Sequence, residues 1–359
     1  MPLFRKDQQN YHKMNISESP WLKSNKDILI YGTGTVGKEV WQVLTAKGVT
    51  ITAYMDHRTR EKPFLNGMPI LPAGFAIHNR EANMPALIDR LKALGYRPFT
   101  TMIDLYDQFA AEFGQYYWLA PRNFYAKYIE EIRLTQNLFA DKASRDLFNS
   151  LLNFRKTGDY SILPTPDIEH QYFPPDVPAW ERPIRFVDCG AFDGDTLQGF
   201  EKLNIPLEAV VAFEPDQNNF QKLSKYIRKN KIPNAFLWPC GVYSSATQLR
   251  FSTGQGEASV ISENGTAIIQ CVSLDEAIPN FKPTLIKMDI EGAEMEAIKG
   301  AQNIIQKNKP GLAISVYHLP QHIWGIPLLI KKMTPKAYHY YLRAHGFNDF
   351  DIVLYAIPI

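Results

Sequence analysis

Cysteine is scarce in this chain: Cys189, Cys240 and Cys271 are the whole complement. Their odd number and the lack of any C-x-x-C pair argue against a disulfide framework and a thiolate zinc site, and a reducing, cytoplasmic compartment is expected. Long apolar runs are missing too. No window approaches the ~18 consecutive apolar residues of a spanning helix, and Met1 to Asn10 is polar rather than a signal-peptide core, so neither a membrane span nor secretion is expected. Charge of one sign is equally lacking. Thirty-nine basic against thirty-seven acidic side chains leave +2, which gives no field for gathering nucleic acid or anionic lipid. Repeat arrays and low-complexity tracts are absent. What is present is an ordinary globular balance, 45% apolar and 21% charged over 359 residues, a length that predicts two domains.

After a polar leader over residues 1–26, Asp27–Tyr31 reads as a short buried strand running into a glycine turn and a helix through Leu44. Thr50–Met55 reads as a second strand, Leu65–Leu71 as a turn feeding a third, and Met84–Leu94 as a helix. This predicts a small α/β domain over 27–105. Aromatic and leucine residues at three- and four-residue spacing then predict a helical connector over 106–163. Six prolines between Pro164 and Pro183 mark the entry to a second domain, 164–359. There strand, glycine turn and helix alternate, with strands at Ile184–Asp188, Val210–Glu214, Ala235–Pro239, Leu285–Asp289 and Leu312–Val316. Such alternation predicts a doubly wound, mostly parallel sheet. Tyr338–Arg343 and Asp351–Ile357, flanking a turn with Gly346, predict an antiparallel hairpin closing its edge.

Two glycine loops compete for a ligand. The first, Gly32-x-Gly34-x-x-Gly37, has Asp56 nineteen residues after its last glycine; it would suit a pyrophosphate at a helix N-terminus with the acid on a ribose, or simply tight strand-to-helix packing. The second is Asp188-Cys-Gly190-Ala-Phe192-Asp-Gly194-Asp195-Thr196, followed by Glu214 and Pro215 at the next strand end. Here Asp188, Asp193 and Asp195 crowd the turn with negative charge. A pyrophosphate would be repelled and a cationic sulfonium with an amino-acid tail attracted, since near-surface unit charges ~4 Å apart interact by roughly 4 kcal/mol. This loop therefore favours S-adenosylmethionine over a nicotinamide dinucleotide. Gly190 and Gly194 would let the backbone pass beneath the cofactor, with Asp188 near its ammonium and Glu214 on both ribose hydroxyls.

VDCGAFDGDT (Val187–Thr196), AFEPD (Ala212–Asp216), SLDE (Ser273–Glu276), IKMDIEGAEMEAIKGA (Ile286–Ala301) and SVYH (Ser315–His318) together resemble the FkbM family of S-adenosylmethionine-dependent methyltransferases, over roughly residues 165–358. The resemblance implies a class I methyltransferase-like doubly wound sheet, with O-methylation of a hydroxyl on a sugar, polyketide or related metabolite. It carries Asp188, Gly190 and Glu214 over as cofactor contacts. Where many relatives have paired histidines in the hairpin, this chain has Ala344-His345-Gly346. The N-terminal domain, Rossmann-like in pattern, resembles small nucleotide-binding-like domains attached to bacterial surface-polysaccharide enzymes, which points to a saccharide or sugar-nucleotide acceptor.

Methyl transfer to oxygen needs donor and acceptor aligned and the hydroxyl proton removed. The candidates lie at the fourth and fifth strand ends: Asp289 with Glu291, and His318, whose ordinary pKa of ~6.5 suits the task. Nearby acids would raise that pKa and burial would lower it, so the sequence leaves the sign open. Asp289 and Glu291 could instead cap the next helix, and His318 could be structural. The three could also form a mixed carboxylate and imidazole metal set, but no metal is expected. Tyr317 and Trp324 read as core or as acceptor-pocket wall. The competing functions are a nicotinamide-dependent oxidoreductase or a sugar-nucleotide-binding module using Gly32, Gly34, Gly37 and Asp56. No nucleic-acid partner is expected, and oligomeric state stays open.

Overall fold

A computed structural model describes residues 28–31, 35–55, 70–71, 83–93, 100–232, 234–251 and 267–359. They fall into two compact units. One holds the described residues up to Tyr128 with Asn149–Thr165 and Gly346–Phe350; the other holds Ile129–Phe148, Pro166–His345 and Asp351–Ile359.

The second unit is built on a seven-stranded sheet. Its strands are β4 (Ile184–Cys189), β5 (Leu207–Phe213), β6 (Ala235–Trp238), β10 (Leu285–Met288), β11 (Gly311–Ser315), β12 (Tyr338–Ala344) and β13 (Ile352–Pro358). They run in the order β12-β13-β11-β10-β4-β5-β6. The pairs β6/β5, β5/β4, β4/β10 and β10/β11 are parallel, while β13 runs antiparallel to both β11 and β12. The expected edge hairpin is thus present, its second strand lying inside the sheet. Sequences such as IRFVDC in β4 and LIKM in β10 are buried along their whole length or nearly so, as strands covered on both faces require. Phe186, Val210, Ala212, Leu285, Ala313, Val353 and Tyr355 form the core with Leu197 and Phe200 of α6 (Asp195–Lys202) and Leu223 and Ile227 of α7 (Gln217–Asn230). β7 (Gly241–Val242), β8 (Thr247–Phe251) and β9 (Ala267–Val272) form a small separate sheet, β7-β9-β8, that the sequence reading did not anticipate.

Chain order reverses between β4 and β10: from β4 the strands go one way to β5 and β6, and from β10 the other way to β11. Ligands of doubly wound sheets bind outside the carboxyl ends of the strands at such a switch point. Gly190, just past β4, shows how close the two halves come. Its φ is +82°, and a Cβ there would lie 2.0 Å from the Asp289 carbonyl oxygen, so only glycine fits.

In the first unit, β1 (Ile28–Tyr31) lies between β2 (Ile51–Met55) and β3 (Ile70–Leu71), all parallel. Its helices include α1 (Thr35–Ala46), α2 (Met84–Ala93) and α3 (Met102–Phe113), the last opened by a capping box between Thr101 and Asp104. Gly37 is buried in α1; Gly32, Gly34 and Asp56 lie outside the described residues. Of the region expected to form one helical connector, α4 (Ile129–Gln136) and the start of α5 (Lys142–Thr157) group with the second unit, and the remainder of α5 with the first. Within the first unit, Arg155 of α5 makes a two-pronged ion pair with Asp349, Nε to Oδ2 at 2.6 Å and Nη2 to Oδ1 at 3.1 Å, with both side chains fully buried.

Candidate functional site

On the β4 and β5 side of the switch point, two turns are tied together by one carboxylate. Glu214 accepts the Phe192 N–H on Oε2 and the Asp216 N–H on Oε1, both at 2.8 Å. Burial pushes its carboxyl up to about 7, against the pull of those two N–H groups. The N–H groups of Gly190 and Ala191 reach the Phe213 carbonyl at 3.0 Å, holding the loop against the end of β5. Gly194, at φ +95°, precedes α6. Thr196 Oγ1 is buried with no hydrogen-bond partner among the described residues. Phe192 and Pro215 are half-buried and Asp195 exposed, and Lys222 Nζ stands 5.8 Å from the centre of the Phe192 ring.

Asp188 is placed differently from its expected role beside the ammonium of a ligand. It is fully buried and ion-paired with Lys287 of β10, Nζ to Oδ1 at 3.1 Å. Lys287 also donates to the Gly190 carbonyl at 2.6 Å. Asp188 therefore acts on the loop through Lys287. Burial pushes the Asp188 carboxyl up to about 6, with Lys287 opposing. Burial works against the lysine's charge, but Asp188, Asp289 and Asp195 outweigh it and hold its pKa above the ordinary value. Lys287 was not singled out in the sequence, although a lysine inside an apolar strand needs a partner.

On the other side, the structure brings Asp289, Glu291 and His318 together as anticipated. His318 Nε2 lies 3.5 Å from Asp289 Oδ1 and 3.6 Å from Glu291 Oε2. Those two oxygens are buried and accept no hydrogen bond among the described residues. Asp289 Oδ2 is held by the Tyr172 hydroxyl at 3.0 Å. Glu291 adopts φ +54°, in the left-handed region uncommon for residues other than glycine.

The residue missed here is Glu294, the first of α9 (Glu294–Lys299) and fully buried. Its Oε1 receives His318 Nδ1 at 2.8 Å and the Ile290 N–H at 2.9 Å, and Oε2 lies 3.3 Å from Nδ1 of His322, the first residue of α11 (His322–Met333). Burial alone would raise the Glu294 carboxyl; His318 and His322 outweigh it and hold it well below the carboxylate range. An ionised carboxylate only accepts, so His318 Nδ1 carries the proton of that bond. Burial works to lower the His318 pKa, but Glu294, Glu291 and Asp289 push it up to about 10. Burial pushes Glu291 up to about 7, opposed by His318. The sign left open by the sequence is thus upward. One ligand atom from each of Asp289, Glu294 and His318 lies within 4.8 Å of the others, a spacing a metal could use. Oε1 of Glu294 is already engaged by Ile290 and His318, while Oε2, 3.3 Å from His322 Nδ1, makes no hydrogen bond among the described residues.

His345 is not at this site. Its ring nitrogens reach the Asp167 carbonyl at 2.6 Å and the Tyr355 hydroxyl at 2.7 Å, tying the hairpin to the proline-rich entry segment. Tyr317 and Trp324 are buried.

A doubly wound sheet with a glycine loop at the switch point and an acid at the next strand end is an architecture that holds a nucleotide-bearing cofactor. Residues 188–348 match the methyltransferase FkbM domain family. A chain from Methylobacillus flagellatus KT, solved as methyltransferase FkbM, has the same fold: TM-score 0.73, 23% identity, 92% of this chain and 90% of that one covered. The hexuronic acid methyltransferase AglP of Haloferax volcanii is 30% identical over 104 residues, which is 27% of this chain and 43% of that protein's length.

Proposed function

We propose that the protein is an S-adenosylmethionine-dependent O-methyltransferase whose acceptor is a hydroxyl of a saccharide, sugar nucleotide or related sugar-linked metabolite. The observation that carries the reading is the placement of the Gly190–Gly194 loop and Glu214 on one side of the switch point and of Asp289, Glu291 and His318 on the other. The residues present fit the cofactor. Gly190 and Gly194 take the positive φ angles that bend the loop at the strand end, and Thr196 Oγ1 is buried with no hydrogen-bond partner among the described residues. Glu214 is the ribose residue: a carboxylate has about four acceptor sites, and two are taken by Phe192 and Asp216. When bound, the cofactor supplies an electrophilic methyl group.

The chain's own residues do the rest. Lys287 and Asp188 hold the loop at the Gly190 carbonyl. His318, between Asp289 and Glu291, takes the acceptor proton at Nε2, and Tyr172 steadies Asp289. A saccharide acceptor is supported by the name of the Haloferax volcanii relative, which specifies a hexuronic acid. No helix among the described residues is long and apolar enough to cross a membrane. The test is calorimetric titration of the whole chain with S-adenosylmethionine and with NAD, followed by methyl-label transfer to a panel of nucleotide sugars and oligosaccharides. Binding of NAD in place of S-adenosylmethionine would overturn the proposal.

A further inference from the structure

Glu294 is buried without exposure in a place where two histidines and a backbone N–H converge on it. One of its oxygens fixes both parts of the acid and imidazole cluster. Oε1 accepts from His318 at the end of β11 and from Ile290, which lies between Asp289 and Glu291 in the turn after β10. We propose that Glu294 is a positioning residue of the reaction centre, holding His318 by Nδ1 so that Nε2 is turned to Asp289 and Glu291. The proposal rests on the methyltransferase reading above and names the group that prepares its base.

The plain alternative is helix capping. An acid in the first turn of a helix is favourable wherever it occurs, through the dipole and through bonds back to preceding N–H groups. Capping accounts for the Ile290 bond and for nothing on the side of the histidines. Placement of the ring by a buried carboxylate fixes which nitrogen faces the reacting atoms and stabilises the imidazolium that forms when the proton arrives. The groups around the ring are Glu294 from α9, Asp289 and Glu291 from the turn after β10, His322 from α11 and the neighbouring Tyr317 ring. Asp351, just before β13, acts on Glu291 and Tyr317. Glu294, Glu291 and Asp289 together favour the protonated ring against the effect of burial. Its basic form then accumulates only on the alkaline side of neutrality.

The test compares wild type, Glu294→Gln and Glu294→Asp by pH profiles of kcat/KM and by NMR titration of labelled histidine in the whole chain, with the His318 signal identified by its loss in His318→Gln. In wild type, kcat/KM and the His318 signal should both change with a midpoint in the alkaline range, toward about 10. Glu294→Gln should bring both midpoints toward the ordinary ~6.5. It should also lower the limiting kcat roughly 10²-fold while leaving KM for S-adenosylmethionine within about twofold. Glu294→Asp, which keeps the charge, should keep the alkaline midpoint. A midpoint unmoved in Glu294→Gln, or a wild-type His318 titrating near ~6.5, overturns the proposal. Should the glutamine variant not fold, the wild-type titration decides alone. The NMR measurement needs no turnover, so absence of methyl transfer would count against the function proposed above while the titration still judges Glu294.

Discussion

A carboxylate with two backbone N–H groups already on it, as in Glu214, is both a structural clip and a ligand acceptor, and the two duties separate under mutation. Glu214→Ala should weaken S-adenosylmethionine binding by about 2–4 kcal/mol, from two lost charge-assisted bonds to the ribose; calorimetry on the folded variant checks this, and wild-type affinity would remove the assignment. Proton linkage adds a second reading. Burial raises this carboxyl to about 7, and the ionised form is the one that accepts from hydroxyls. Affinity should therefore be full above neutrality and fall as pH drops through that value, by about tenfold between pH 8 and pH 6 if only the carboxylate binds. Glu214→Gln should flatten the dependence. For folding the sign is opposite: a carboxyl raised in the native state favours folding most at low pH, and that contribution fades as pH climbs from ~4.5 to about 7.

Among the elements, the approach of the β4 and β10 ends depends on Gly190. Gly190→Ala would drive a Cβ into the Asp289 carbonyl at 2.0 Å with φ at +82°, so the strand ends must part. A loss of roughly 3 kcal/mol or more is expected, with cofactor binding lost too, measured by denaturant unfolding and calorimetry. A change under about 0.5 kcal/mol would mean that the loop relaxes freely. This part of the molecule was legible in the sequence: Asp188, Gly190, Gly194 and Glu214 were placed at strand ends by short apolar runs, and His318 was found with Asp289 and Glu291. Lys287 and Glu294 were not legible, although each stands in a motif that was read. Their meaning lies in partners far along the chain or on another element, Asp188 for the lysine and His318 and His322 for the acid, and periodicity carries no such pairing. The small β7-β9-β8 sheet escaped because β7 has only two residues, too few to show alternation.

For the whole molecule, the informative fact is that neither unit is a continuous stretch of chain. The first unit takes Asn149–Thr165 and Gly346–Phe350 from within the span read as connector and methyltransferase domain, and the Arg155–Asp349 pair joins those two pieces. Arg155→Met would leave a buried carboxylate without its cation and should cost about 3–5 kcal/mol, read as a lower midpoint in urea unfolding. Retention of wild-type stability would show that Asp349 simply neutralises or rehydrates. The interleaving was invisible in the sequence because composition marks where a linker is polar or proline-rich, and Gly346–Phe350 looks like any hairpin turn. It also bears on how the protein is made. The ribosome releases a chain from its N-terminus at ~5–20 residues per second, and domains commonly fold as they emerge. Neither unit can close before its later piece is made: one needs Asp349, and the other needs β13, which lies between β11 and β12. Completion of both units therefore waits for residues 346–358, and until these are added β11 lacks its antiparallel neighbour.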